Sequence, residues 1–132
     1  MNAKPAILLA EDEEHVAKLV VFKLGRSGFD VIVARDGREA LEKLEERPWQ
    51  VILLDVMMPH VDGWTVLEAL RKNEKTRDVP VVMLTARGGL DDPMQARERG
   101  ADEYVRKPFD PADLAARVSA LAASGRVLKK DA

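Results

Sequence analysis

The sequence predicts an α/β domain: an open, doubly wound parallel sheet of five strands with helices on both faces, a (βα)5 arrangement. Three observations lead there. Short runs rich in Val, Ile and Leu recur roughly every 20–28 residues. They lack apolar–polar alternation, which suits strands buried on both faces. The intervening segments are of helix length and carry helical periodicity, as crossovers between parallel strands require.

The first strand is predicted at Ala6–Ala10. His15–Gly25 follows it with Val16, Leu19, Val20 and Leu24 on one helical face. A second strand at Val31–Ala34 leads to a helix over Asp36–Arg47, where Asp36 is the N-cap, Glu39 lies in the first turn, and Ala40, Leu41 and Leu44 point inward. The third strand, Val51–Val56, precedes Asp62–Asn73, whose Val66, Leu67 and Leu70 are at helical spacing. Val79–Leu84 is the fourth strand, followed by a shorter, more polar helix over Asp91–Arg99. Glu103–Val105 is the fifth and weakest strand. Asp110-Pro111 then opens a helix with proline at its first position, and Leu114, Val118 and Leu121 line one face. From about Ser124 the pattern fades, so residues 1–123 are expected to form the domain and 124–132 a short C-terminal tail without an output domain.

Composition narrows the function. The chain has 132 residues, of which 46% are hydrophobic and 33% charged, enough for one domain with its own core. Zero cysteines exclude disulfides, thiolate metal sites and thiol nucleophiles, and two histidines are a poor basis for a zinc site. A net charge of −2 speaks against direct nucleic-acid binding, which favours a basic stripe. No apolar run of about 18 residues and no signal layout are present, so no membrane insertion and a cytoplasmic location are expected.

Ligands of open parallel sheets bind at the carboxyl ends of the strands. There the first strand runs into Glu11-Asp12-Glu13-Glu14, the third ends in Asp55, the fourth meets Thr85 and the fifth leads to Lys107. The second contributes nothing comparable. Acids, a hydroxyl and an ammonium should therefore converge on one edge. Glu11, Asp12 and Asp55 are hard oxygen ligands whose mutual repulsion a cation would relieve, which favours Mg2+. Each residue also has an ordinary explanation: Asp12 or Glu13 as helix cap, Thr85 as a strand residue, Lys107 as a surface lysine. Asp55 is hardest to explain away, because it closes Val51-Ile52-Leu53-Leu54, where an unpaired charge is costly.

Ile7-Leu8-Leu9-Ala10-Glu11-Asp12-Glu13, Leu54-Asp55-Val56-Met57-Met58-Pro59 with Asp62-Gly63, Leu84-Thr85-Ala86, and Gly100-Ala101-Asp102-Glu103-Tyr104-Val105-Arg106-Lys107-Pro108-Phe109 together resemble a response-regulator receiver domain, the phosphoacceptor module of two-component signalling. The resemblance runs from Ala6 to about Leu121 and is closest to single-domain chemotaxis-type regulators. It implies a flavodoxin-like three-layer sandwich with strand order 2-1-3-4-5. It further implies that Asp55 accepts a phosphoryl group from the phosphohistidine of a sensor histidine kinase or a histidine phosphotransfer protein. Glu11, Asp12, Asp55 and the backbone carbonyl of Met57 would hold Mg2+. Lys107 would neutralise a phosphoryl oxygen, with Lys107-Pro108 in the cis form. Thr85 and Tyr104 would form the switch, read by a downstream effector protein at the fourth helix, fifth strand and fifth helix. Met57 and Arg87 fall where the family tunes phosphoryl lifetime. A receiver of this kind is a signalling phosphoacceptor that promotes its own phosphorylation and dephosphorylation, not an enzyme acting on a separate substrate.

The match has departures. Glu11 stands where many members carry aspartate, and His60 where glycine is frequent. A flavin-binding domain is excluded by the four acids of the first loop, and an aspartyl phosphatase by Met57 in place of a second acid. Two alternatives stay open: a receiver excised from a longer DNA-binding transcriptional regulator, with phosphorylation-dependent homodimers, and a non-phosphorylated pseudo-receiver that only binds proteins.

Overall fold

A computed structural model describes residues 4–85 and 93–125. Five strands and five helices alternate: β1 Ala6–Ala10, α1 Glu14–Arg26, β2 Asp30–Ala34, α2 Gly37–Lys43, β3 Val51–Asp55, α3 Gly63–Lys72, β4 Val81–Thr85, α4 Pro93–Glu98, β5 Glu103–Arg106 and α5 Pro111–Ser124. The strands form one parallel sheet in the order β2-β1-β3-β4-β5, as the resemblance implied.

The unalternated apolar runs have a direct structural cause. Side chains alternate between sheet faces, and both faces are covered. Ile7, Leu9, Leu53, Val82 and Leu84 pack beneath α1 and α5 through Ala17, Val20, Leu24, Leu114 and Val118. Leu8, Ile52, Leu54 and Met83 pack against α2, α3 and α4 through Ala40, Val66, Leu67, Leu70 and Ala96. Every residue of β3 and β4 is buried. None of the described helices is long and apolar enough to cross a membrane.

Helix starts follow the side chains that cap them. Asp36 accepts from the Glu39 amide, Asp62 from the Thr65 amide and Asp110 from the Ala112 amide; each satisfies a donor that lacks a helical partner. Helix ends were harder to foresee. α2 stops at Lys43, short of the expected Arg47, because the Trp49 indole N–H bonds the carbonyls of Lys43 and Leu44. β4 starts at Val81 instead of Val79. Pro80 has no N–H to offer a ladder, and the Val79 carbonyl accepts from Arg71 at 2.6 Å. β3 ends at Asp55, one residue early: the Val56 amide makes the last rung, to the Leu84 carbonyl, and the Val56 carbonyl turns to the Gly63 amide. Thr85 is the last residue of β4, and β5 extends to Arg106. α4 ends at Glu98, one residue before the expected Arg99, and the expected start at Asp91 lies outside the described residues. The expected tail coincides with the described chain only at Ser124 and Gly125.

Candidate functional site

Two glycines set the loops at the carboxyl edge. The Gly63 amide bonds the Val56 carbonyl at 2.9 Å, and a Cβ on Gly63 would collide with the Asp55 carbonyl oxygen. A Cβ on Gly37 would collide with the Val61 carbonyl in the same way. α3 therefore begins directly against the backbone of Asp55.

The expected residues converge. Asp55 is 3% exposed and Glu11 1%, although both are acids, while Asp12 is exposed. Lys107 reaches across from the end of β5: its Nζ lies 3.3 Å from Asp55 Oδ2, 3.3 Å from Glu13 Oε1 and 2.8 Å from Glu11 Oε1. Its backbone is fixed by a 2.8 Å bond from the Lys107 amide to the Thr85 carbonyl, and the Lys107–Pro108 peptide is cis. Thr85 is buried at the end of β4. The Met57 amide donates to Asp55 Oδ1 at 3.2 Å, whereas the Met57 side chain is largely in solvent.

One lysine does not balance this much negative charge. Burial, followed by the nearby Glu11 carboxylate, raises the Asp55 pKa to about 7, against the opposing pull of Lys107. For Lys107, burial is the largest influence and acts downward, yet its bonds to Glu11 and Asp55 outweigh it and the pKa is raised. Glu11 Oε2 accepts from Lys107 at 3.0 Å and from the Glu13 amide at 3.1 Å. Glu11 Oε1 is buried and meets only the Lys107 ammonium, at 2.8 Å. Carboxylate oxygens of Glu11, Asp12 and Asp55 lie within 4.8 Å of one another. An all-oxygen set of three carboxylates, two of them buried, fits a hard divalent cation such as Mg2+.

Other expectations sort themselves by position. Tyr104 pairs with Met83, two register steps from the Thr85–Arg106 pair, and packs half-buried against the core on the α2–α4 side. His60 has φ 71, the left-handed region where glycine is favoured. Its Nε2 stands 3.9 Å from Asp36 Oδ2, and it does not line the groove formed by Asp12, Met57 and Asp62. Ala86 and Arg87 lie outside the described residues.

Two groups escaped the sequence reading. Glu13 is a third partner of Lys107, where it had been weighed only as a cap. Arg35, directly after β2, lines a groove with Glu11, Asp12 and Glu14, so the second strand does supply a charged residue to this edge. The rule of reading the residue past each strand would have found it.

Residues 7–119 match the family described as response regulator receiver domain, and the chain belongs to that family. Receiver domains are signalling phosphoacceptors of two-component regulatory systems that work with histidine kinases and downstream effectors, and they generally bind Mg2+ at an acidic site. Among curated relatives, the phosphate regulon transcriptional regulatory protein PhoB of Escherichia coli (strain K12) is 44% identical over 116 residues, covering 87% of this chain and 50% of its own length. The DNA-binding dual master transcriptional regulator RpaA of Synechocystis sp. is 43% identical over 117 residues, covering 89% of this chain and 48% of its own. The chain thus spans about half the length of the curated relatives it matches. Among solved structures, the receiver domain of the Francisella response regulator 1452 aligns with TM-score 0.82 at 34% identity, covering 90% of this chain and 97% of that one. The chemotaxis response regulator CheY4 of Vibrio cholerae aligns with TM-score 0.82 at 28% identity, covering 90% and 99%.

Proposed function

We propose that Asp55 takes up a phosphoryl group from the phosphohistidine of a sensor histidine kinase or histidine phosphotransfer protein, and that the occupied site switches the α4–β5–α5 face toward an effector. The observation that supports this best is the buried Asp55 carboxylate, closing β3 within salt-bridge reach of Lys107 and beside the Glu11–Asp12 pair.

The chemistry follows from these groups. An Asp55 carboxylate oxygen attacks phosphorus, the P–N bond to the donor imidazole breaks, and the bonding pair leaves with that nitrogen. Attack requires the ionised carboxylate, which burial and Glu11 disfavour. Glu11, Asp12, Asp55 and the Met57 carbonyl would hold Mg2+, whose charge offsets the repulsion between carboxylates and phosphoryl oxygens. Lys107 moves from the carboxylates to a phosphoryl oxygen as a mobile point charge. Thr85 donates its hydroxyl to another, and the Tyr104 ring turns into the space it leaves. Met57, exposed beside Asp55, shields the acyl phosphate from water; Arg87 is the other position assigned to lifetime.

The output belongs to the same reading. PhoB and RpaA are named as transcriptional regulators, so the effector is either a DNA-binding region joined to this receiver, acting through receiver homodimers, or a separate protein. The test is acetyl phosphate with Mg2+, followed by intact mass. One added phosphoryl group on the wild type and none on Asp55→Asn is expected. An unmodified wild type, or equal modification of both, refutes the assignment and favours a pseudo-receiver.

A further inference from the structure

We infer that Glu13 is a positioning residue that holds the Lys107 ammonium on the α1 side of the pocket and so opposes its transfer to an incoming phosphoryl group. Glu13 is the N-cap of α1, and its side chain makes no capping hydrogen bond; capping is the work of shorter polar side chains. Instead Oε1 accepts from Lys107 Nζ at 3.3 Å. The ammonium has three N–H donors and three carboxylate partners, Glu11, Glu13 and Asp55. Glu11 and Asp55 have a second role in the metal cluster; Glu13 is outside it. Its side chain is 49% exposed, against 0% for Glu11 and 5% for Asp55. Glu13 therefore draws the lysine toward solvent and away from the atom that is to be phosphorylated. The inference rests on Asp55 as phosphoacceptor and adds what sets the resting position of its lysine.

The experiment compares the rate of phosphoryl uptake from acetyl phosphate with Mg2+ in the wild type and three variants, read by intact mass. Glu13→Gln removes the charge and should accelerate uptake about two- to five-fold, the span of a half-exposed ion pair. Glu13→Asp keeps the charge but shortens the reach, so it should be as fast as Glu13→Gln. Glu14→Gln removes the same charge one residue away, from a group paired with Lys18 at 3.1 Å, and should leave the rate unchanged. Overturning results are an unaltered or slower Glu13→Gln, a Glu13→Asp that behaves as wild type, or a Glu14→Gln as fast as Glu13→Gln. The last two would mean that simple repulsion of the anionic donor is at work. A wild type that gains no phosphoryl group brings down the phosphoacceptor reading itself, and the tether with it.

Discussion

Among the described residues, two buried meetings of cation and carboxylate stand one at each end of the same strands, and they are built to opposite rules. At the amino edge, Asp102 accepts from the Val81 amide at 2.9 Å and from Arg71 at 3.0 Å. The Arg71 guanidinium also donates to the carbonyls of Arg77, Val79 and Gly100. Here the guanidinium and the carboxylate pair at 3.0 Å, and backbone carbonyls accept from the other guanidinium N–H groups. At the carboxyl edge, Lys107 faces Glu11, Glu13 and Asp55 with Asp12 nearby, and Glu11 Oε1 meets only the ammonium. The first arrangement completes itself and staples α3 to the loops before β4 and β5. The second carries surplus negative charge, which a bound cation or a proton on Asp55 would relieve. Satisfied polar clusters serve stability, whereas unsatisfied ones point to ligands.

The contrast breaks most visibly by mutation. Arg71→Ala removes the guanidinium 3.0 Å from the buried Asp102 carboxylate and should cost about 3–5 kcal/mol in urea unfolding. Arg71→Lys should recover little of it, because an ammonium cannot serve several carbonyls as a planar fork does. A loss below about 1 kcal/mol for Arg71→Ala would show that the amino-edge network is not a staple.

At the other edge, removing charge should stabilise. Asp55 titrates near 7 when folded, from an ordinary value of 3.8, so between those values the folded protein holds a proton that the unfolded chain has released. Metal-free stability should therefore fall as pH rises through that window and level off above it, by up to about 4 kcal/mol. Asp55→Asn should abolish most of this slope and be more stable than wild type at pH 8, and saturating Mg2+ should flatten the wild-type curve. Denaturant midpoints across pH check all three; a wild-type midpoint that rises over the same window contradicts the assignment.

Smaller effects sharpen the account. Met57→Asn replaces an exposed apolar side chain with one able to orient water, and should speed loss of the phosphoryl group several-fold, or about 1 kcal/mol in barrier; an unchanged rate would remove Met57 from lifetime control. Lys75→Ala breaks only the exposed pair with Glu45 and should shift stability by less than about 1 kcal/mol.

The sequence conveyed the carboxyl edge far better than the amino edge, for a physical reason. Asp55, Thr85 and Lys107 sit at the ends of apolar runs, so periodicity alone placed them together, and the caps Asp36, Asp62 and Asp110 were readable as short acceptors at helix starts. Strand order came from resemblance, since apolar runs carry no pairing register. Arg71 and Asp102 look like an ordinary helix cation and loop acid, and only the fold brings them together across 31 positions. Gly37 and Gly63 were equally silent, because their need for no side chain arises from Val61 and the Asp55 backbone pressing on them. The Glu13–Lys107 contact spans 94 positions and was hidden behind a simpler reading of Glu13 as a cap.

The most direct measurement locates the phosphoryl group. Wild-type protein treated with acetyl phosphate and Mg2+ is reduced with borohydride, which converts an aspartyl phosphate to homoserine, then digested and sequenced by mass spectrometry. The account predicts homoserine at position 55 and nowhere else. Homoserine at Asp12, or no conversion despite a phosphorylated intact mass, would contradict it.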